Sequence, residues 1–315
     1  MSSNLHVVVG SGAIGSAVTR RLVADGERVR VVTRSGSGAE HRLVERVAMD
    51  AADGVALTRL AEGAVAIYNC ANPPYHRWPT DWPPIADALL GAAERTGAVL
   101  ATTSNLYGYG PVTGPMTEET PLAATFSKGV VRADMWRTAL AAHEAGRARV
   151  TEVRASDYIG PNAQTQFGER VVPRLLAGRA VQVLGDPAAP HTWTYTEDAA
   201  RLLVAAAADE RAWGRPWHVP SHPACGSGQV VADMCRQAGL PDVAVKPLPR
   251  WLLRVGGLVS PMLRELPEVA YQHTEPFVMD SSAAQRTFGL TPTDWDTILT
   301  ETMRPFRTDA GSVAA

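Results

Sequence analysis

Cysteine is scarce in this chain of 315 residues: only Cys70, Cys225 and Cys235 are present, and none forms a C-x-x-C pair with another. That excludes a dithiol redox motif and a paired-cysteine zinc site. An odd count without a signal peptide predicts reduced, buried thiols in a cytoplasmic compartment. Only about four small or polar residues precede the first apolar run, leaving no room for a charged and then apolar export leader. Blocks of like charge are also lacking, and the formal net charge is −2. Neither nucleic acid nor an anionic membrane would exert a long-range pull on such a chain. The longest apolar patch, residues 251–262, is interrupted by Arg254 and by Gly256-Gly257. It falls short of the roughly 18 unbroken apolar residues of a membrane span and reads as a helix lining a pocket or a subunit contact.

What the chain does have is His6-Val7-Val8-Val9-Gly10-Ser11-Gly12-Ala13-Ile14-Gly15, a buried apolar run that breaks into G-x-G-x-x-G. A helical pattern of Ala13, Ala17, Val18 and Leu22 follows. Strand, glycines and helix in that order predict the phosphate-gripping turn of a dinucleotide site. Gly10 turns the chain off the strand, Gly12 lets backbone N–H groups approach a pyrophosphate together with Ala13 and Ile14, and Gly15 packs helix against strand. A second strand is expected over residues 29–32. A fold that prefers NAD places a carboxylate at its end, yet no acid occurs between Glu27 and Glu40, and Thr33-Arg34-Ser35 stands there instead. Arg34 offers a planar fork suited to a 2′-phosphate, with Thr33, Ser35 and Ser37 as added donors, so NADP is expected over NAD.

Further strands are expected over 44–49, 64–71 and 98–102, with helices over 57–60, 85–96 and 127–145. Asp50 would meet the adenine edge or cap the turn through Asp53-Gly54, and Ala71 would lie where the fourth strand runs out over the cofactor. Residues 72–84, dense in proline and tryptophan, read as a stiff loop whose Trp78 and Trp82 either wall a pocket or fasten the loop to the body. Polar groups cluster where the fifth strand emerges, in Thr103-Ser104-Asn105-Leu106-Tyr107-Gly108-Tyr109, the place to look for chemistry. The 127–145 helix carries Val130, Val131, Met135, Trp136 and Leu140, which suggests a packing surface or a homodimer contact.

These motifs together resemble the extended short-chain dehydrogenase/reductase superfamily, the NAD(P)-dependent epimerase/dehydratase group, and within it an atypical branch. The resemblance spans nearly the whole chain. It rests on Gly10-x-Gly12-x-x-Gly15, Thr102-Thr103-x-x-Leu106-Tyr107-Gly108, Thr117-Glu118-Glu119-Thr120-Pro121, Val153-Arg154 to Gly160-Pro161, and Gly185-Asp186 with Trp193-Thr194-Tyr195-Thr196-Glu197-Asp198-Ala199. It implies an α/β fold, a doubly wound parallel Rossmann sheet with a smaller, discontinuous C-terminal α+β substrate lobe. The nucleotide domain would comprise residues 1–160 and about 191–220, and the lobe about 161–190 and 221–315.

The resemblance also implies roles. Thr103 matches the residue that holds the substrate oxygen. With Asp134 in the place of the family's later glutamate, Phe126 and Val130 occupy the positions of the acid/base Tyr-x-x-x-Lys pair, and neither transfers a proton. A register using Lys128 and Arg132 has no tyrosine four residues ahead of either. Tyr107, Tyr109 and Lys128 are therefore the candidate replacements, with Asn105 nearby as a substrate contact. His191, before Trp193, replaces an arginine that clamps a diphosphate, and Asp157 replaces an asparagine near the same phosphate. Both changes weaken the case for a nucleotide-sugar substrate. His191 itself reads as a pocket acid/base or a hydrogen-bonded core imidazole. Glu265, Glu268, Tyr271 and His273 lack metal-ligand spacing such as H-E-x-x-H, and no metal is expected. The reading is an NADP(H)-dependent oxidoreductase acting on a small carbonyl or alcohol. A redox-neutral isomerase, epimerase or cyclase, or a non-catalytic NADP(H)-sensing protein, are the alternatives.

Overall fold

The computed structural model describes residues 3–249 and 264–307. Its centre is β1 (Leu5–Val9), whose five side chains are all buried because strands flank it on both edges and helices cover both faces. Around it lie β2 (Arg28–Thr33), β3 (Val44–Ala48), β4 (Ala64–Asn69), β5 (Val99–Asn105), β6 (Arg149–Ala155) and, at the far edge, β10 (Arg215–His218). They form one parallel seven-stranded sheet in the order β10-β6-β5-β4-β1-β2-β3. The order reverses between β1 and β4, the crevice where an open α/β sheet receives its ligand.

Alternation along the strands gives two cores. Val7, Val9, Ile67, Leu100 and Trp136 pack on one face, beneath α2 (Gly54–Leu60), α3 (Trp78–Thr96) and α4 (Ser127–Glu144). Val8, Val31, Tyr68, Ala101 and Trp217 pack on the other, beneath α1 (Ala13–Ala24) and α6 (Thr196–Ala208). A third core, with Phe167, Leu175, Trp193, Val230, Met234 and Leu299, belongs to the second lobe. That lobe is built from α5 (Val172–Leu176), α7 (Ser227–Ala238), α10 (Trp295–Arg307) and two two-stranded parallel sheets. The sheets pair β7 (Asp157–Ile159) with β9 (Trp193–Tyr195), and β8 (Val181–Val183) with β11 (Val245–Pro247). Two further helices, α8 (Tyr271–Thr274) and α9 (Ser282–Phe288), carry the chain back across the domains, and Phe288 of α9 packs on Trp217 at 4.9 Å.

Two expectations need correcting. Residues 78–84 are not loop: α3 begins at Trp78. Pro79 sits in the first turn, where its missing N–H costs nothing, and Pro83 and Pro84 would have bonded the carbonyls of exposed residues 79 and 80, which water can reach. Trp78 and Trp82, one turn apart, then point inward and fasten the segment, the Trp78 indole donating to the Pro73 carbonyl at 3.1 Å. The second correction concerns α4, whose buried face carries Lys128, Gly129, Arg132, Ala133, Trp136 and Ala142, while Val130 is 37% exposed. Two cations lie inward because each meets partners described below. The apolar segment 251–262 lies outside the described residues.

Candidate active site

The glycine turn is sterically determined. Gly10 has φ +103°, and a Cβ there would stand 2.4 Å from the Cys70 carbonyl oxygen. A Cβ on Gly15 would stand 2.0 Å from the Gly10 carbonyl oxygen, so the first turn of α1 and the end of β1 exclude any side chain. Gly12 differs: nothing lies within 4 Å of its absent Cβ. It caps α1 without any side-chain acceptor, and no acid stands in the first turn, so the N–H groups of Ala13 and Ile14 are left for an anion. Ser37 Oγ lies 3.1 Å from Ser11 Oγ, and Thr33 donates to the Ser37 carbonyl at 3.0 Å, which ties the 33–37 turn to the glycines. Arg34 and Ser35 are exposed on that turn, and Arg34 has no hydrogen bond or ion pair among the described residues. Asp50 takes the turn role, accepting from Ala52 N at 3.0 Å. Ala71, half-buried beside Gly10, has its N–H bonded to the Asn69 amide oxygen.

At the exit of β5, Thr103 Oγ1 lies 3.7 Å from Cys70 Sγ, at the mouth of the crevice. Burial pushes that thiol up to about 12, so Cys70 remains protonated. The Tyr75 hydroxyl donates to the Tyr107 hydroxyl at 3.2 Å, and their rings pack among Trp78 and Phe126. Burial raises both phenols well above the usual tyrosine range, with the Tyr75–Tyr107 contact and the Asp157 charge as further influences. Neither is poised as a phenolate. Phe126 precedes α4 and Val130 faces outward, so the inward pair one turn apart is Lys128 and Arg132. Lys128, one of two lysines in the chain, is 1% exposed and forms ion pairs with Glu265 and Glu268. Arg132 lies between the indoles of Trp78 and Trp82, at 4.5 and 4.3 Å, and burial brings it down to about 10. Its Nε and one Nη are buried without a hydrogen-bond partner.

The second lobe closes the site with acid and imidazole. The Asp157 carboxylate lies 3.4 Å from His191 Nε2 and 3.5 Å from His273 Nε2. Burial would raise this carboxyl, but the two imidazoles beside it hold it at about 2. His191 is 2% exposed and packs on Trp193, His273 and Phe277, with ring centroids 4.3 to 5.2 Å away. Trp193 donates to the Cys225 carbonyl at 3.0 Å and is part of the lobe core.

Two expected substrate contacts are occupied elsewhere. Asn105 uses its amide oxygen to accept from Tyr107 N at 3.2 Å and so shapes the turn. Tyr109 is 1% exposed, with its hydroxyl 2.7 Å from His218 Nε2 and accepting from Arg154 at 2.7 Å. It ties β6 to β10 instead of facing an open pocket. Lys128 keeps its place at the site but is neutralised, which suits a tether better than a proton carrier. Sequence reasoning missed Tyr75, Arg132, His273 and the use of Glu265 and Glu268. The i, i+4 spacing of Lys128 and Arg132 and the grouping of Glu265, Glu268 and His273 were the signals present.

The reversal in strand order and the side-chain-free turn at α1 define a protein of the Rossmann-like, dinucleotide-binding fold class. The sequence model of the NAD dependent epimerase/dehydratase family matches residues 6–219, and the chain belongs to that enzyme family. Comparison with curated proteins gives no match. Among solved structures, a dTDP-glucose 4,6-dehydratase double mutant from Streptomyces venezuelae with NAD bound is similar at 20% identity and TM-score 0.77, over 98% of each chain. An epimerase from Methanothermobacter thermautotrophicus is similar at 17% identity and TM-score 0.79, over 99% of this chain and 94% of that one. A UDP-glucose 4-epimerase from Thermotoga maritima with UDP-glucose is similar at 19% identity and TM-score 0.77, over 97% and 99%. Among the described residues no helix is long and apolar enough to cross a membrane.

Proposed function

We propose that this enzyme binds NADP(H) and reduces or oxidises a small, uncharged carbonyl or alcohol. The observation that carries the reading is the uncapped start of α1 above Gly12, open on the side where Gly10 and Gly15 are closed. Gly12, Ala13 and Ile14 would hold the pyrophosphate, with Gly10 and Gly15 shaping the turn. Thr33, Arg34 and Ser35 would take the 2′-phosphate, while Asp50 and Ala71 border the nucleoside. The dinucleotide supplies hydride transfer at nicotinamide C4. Thr103 orients the substrate oxygen by hydrogen bonding. Tyr107 accepts from Tyr75, so its own proton is free to be donated, and its raised pKa keeps that proton in place at neutral pH.

The charges around the pocket bear on the substrate. Asp157, Glu265 and Glu268 supply carboxylates, and Lys128 is already paired. A diphosphate would meet this set poorly, which supports a neutral substrate over the nucleotide sugars named for the similar structures. A redox-neutral epimerase or dehydratase reaction is the second reading, favoured because no tyrosine of the chain stands four residues before a lysine. We also propose a homodimer through α3 and α4, where Val131, Met135, Leu90 and Ala86 line a cavity of about 170 Å³. Light scattering of the purified protein at a monomer mass would overturn that contact.

At equal ligand excess, NADP(H) should raise the melting temperature more than NAD(H). Equal shifts would remove the 2′-phosphate assignment, and no shift with either would remove the cofactor reading. Absorbance at the NADPH band during a screen of aldehydes and ketones tests redox turnover, and Thr103→Val should lower the turnover number about 100-fold. Product formed while the cofactor stays unchanged would favour the redox-neutral reading.

A further inference from the structure

His191, His273 and Asp157 come from three separate stretches of chain, before β9, within α8 and in β7. Their Nε2, Nε2 and carboxylate oxygen atoms all lie within 4.8 Å of one another. We propose that these three side chains form a binding site for one divalent transition-metal ion of the zinc type, facing the substrate lobe and independent of which dinucleotide the enzyme uses.

A protonated imidazole bonded to a carboxylate sits at about 2.7 to 2.9 Å. The observed separations of 3.4 and 3.5 Å are longer. Ligand atoms about 2.0 to 2.1 Å from a shared tetrahedral ion stand roughly 3.3 to 3.4 Å apart. The spacing to the carboxylate therefore suits a shared ion better than a direct hydrogen bond.

The tautomer of His191 also suits a metal ligand. Its Nδ1 lies 2.9 Å from the Gln272 carbonyl oxygen, which can only accept, so Nδ1 carries a hydrogen. In the neutral ring Nε2 is then a bare lone pair, aimed at a carboxylate and otherwise meeting only the Ser156 hydroxyl, at 3.3 Å. A carbonyl that accepts from the far nitrogen is the usual outer support of a metal-bound histidine.

Trp193 and Phe277 wall the His191 ring, giving a dry, rigid side to the site. His273 rides on the single turn of α8 and is 14% exposed. The two imidazole planes are 11° apart, so both lone pairs meet one ion only after His273 tilts, a movement its partial exposure allows. Three protein ligands leave a fourth position for water or a substrate oxygen, as in open zinc sites.

The test uses the full-length enzyme, freed of any affinity tag, dialysed against a chelator and then titrated with Co²⁺ as the probe. Wild type should take up one equivalent, with the intense visible absorption of tetrahedral Co²⁺, and Zn²⁺ should displace it. Asp157→Asn and His273→Asn should each weaken Co²⁺ binding by about 100-fold or more while circular dichroism confirms a folded chain. Substitution of the exposed His41 by glutamine should leave binding unchanged. Absence of stoichiometric uptake by wild type would overturn the site, as would uptake unaltered in both folded variants. Because the readout is metal binding, failure of the NADP(H) assays would not mimic either result.

Discussion

The two ends of the crevice are built in opposite ways. At the proposed nucleotide end, six consecutive positions, Gly10 to Gly15, form the turn, and the limits on Gly10 and Gly15 come from backbone atoms only a few residues or one strand away. At the proposed substrate end, Thr103, Tyr107, Lys128, Asp157, His191 and His273 arrive from β5 and the turn after it, α4, β7 and two later stretches. Local sterics make the first end hard to alter without losing either fold or ligand. At the second, each side chain is held by partners distant in sequence, so chemistry can change while the fold persists.

Glycine replacements probe that contrast most strongly. Gly15→Ala should destabilise by about 3 kcal/mol or more, because the new methyl overlaps the Gly10 carbonyl, which cannot move without disturbing β1. Gly12→Val should leave the free enzyme folded, at a cost of about 1 kcal/mol from a poor N-cap, since its Cβ meets nothing within 4 Å, yet abolish stabilisation by dinucleotide. A loss of folding with Gly12→Val, measured by thermal denaturation, would contradict the division between the two roles. Next in size is Lys128→Met. It removes the cation that joins α4 to Glu265 and Glu268 and leaves two carboxylates, 30% and 23% exposed, facing each other. Partial exposure softens the penalty, and a loss of about 2 kcal/mol in urea denaturation is expected.

The same contrast explains what the sequence could reveal. The parallel doubly wound sheet, the start of α1 and the tight backbone at Gly10 and Gly15 were legible, because the strand–glycine–helix pattern lies within about 30 residues. The exposed turn carrying Arg34 after β2 was legible as a place without an acid, and its choice of cofactor belongs to the experiments. Pro83 and Pro84 hid the start of α3, since loss of two outward-facing backbone bonds matters less than burying Trp78 and Trp82. The inward face of α4 was unreadable for a related reason: Lys128 and Arg132 look solvated until Glu265, Glu268 and the two indoles are brought to them. Metal-ligand spacing along the chain could not reveal Asp157, His191 and His273, which meet only through the parallel pairing of β7 with β9 and the return of α8.

A pH experiment separates the far edge of the sheet from the site itself. His218 is fully buried between Tyr109, at 2.7 Å, and the Asp280 carbonyl, at 2.8 Å. Burial lowers its pKa from 6.5 to about 4, with the Asp280 carbonyl opposing in part. The folded value lies below the unfolded one, so the stabilisation is complete above pH 6.5 and disappears as pH falls towards 4. Wild type should lose up to about 3 kcal/mol across that window through this group. His218→Gln, though less stable at pH 7, should show a flatter profile there, and an identical slope would assign acid sensitivity to other groups.

The smallest effect expected is at Arg34, and it tests the nucleotide end without touching its fold. The side chain is exposed and unpaired among the described residues, so Arg34→Ala should leave thermal stability within about 0.5 kcal/mol. Loss of one charge-assisted contact to a 2′-phosphate should raise the NADP dissociation constant about 10-fold, equivalent to about 1.4 kcal/mol, with NAD binding unchanged. Because Thr33, Ser35 and Ser37 remain as donors on the tied turn, part of the preference should survive. If both cofactors weaken equally, Arg34 acts on the pyrophosphate or on the turn; if neither weakens, Arg34 does not contact the 2′-phosphate and that assignment falls.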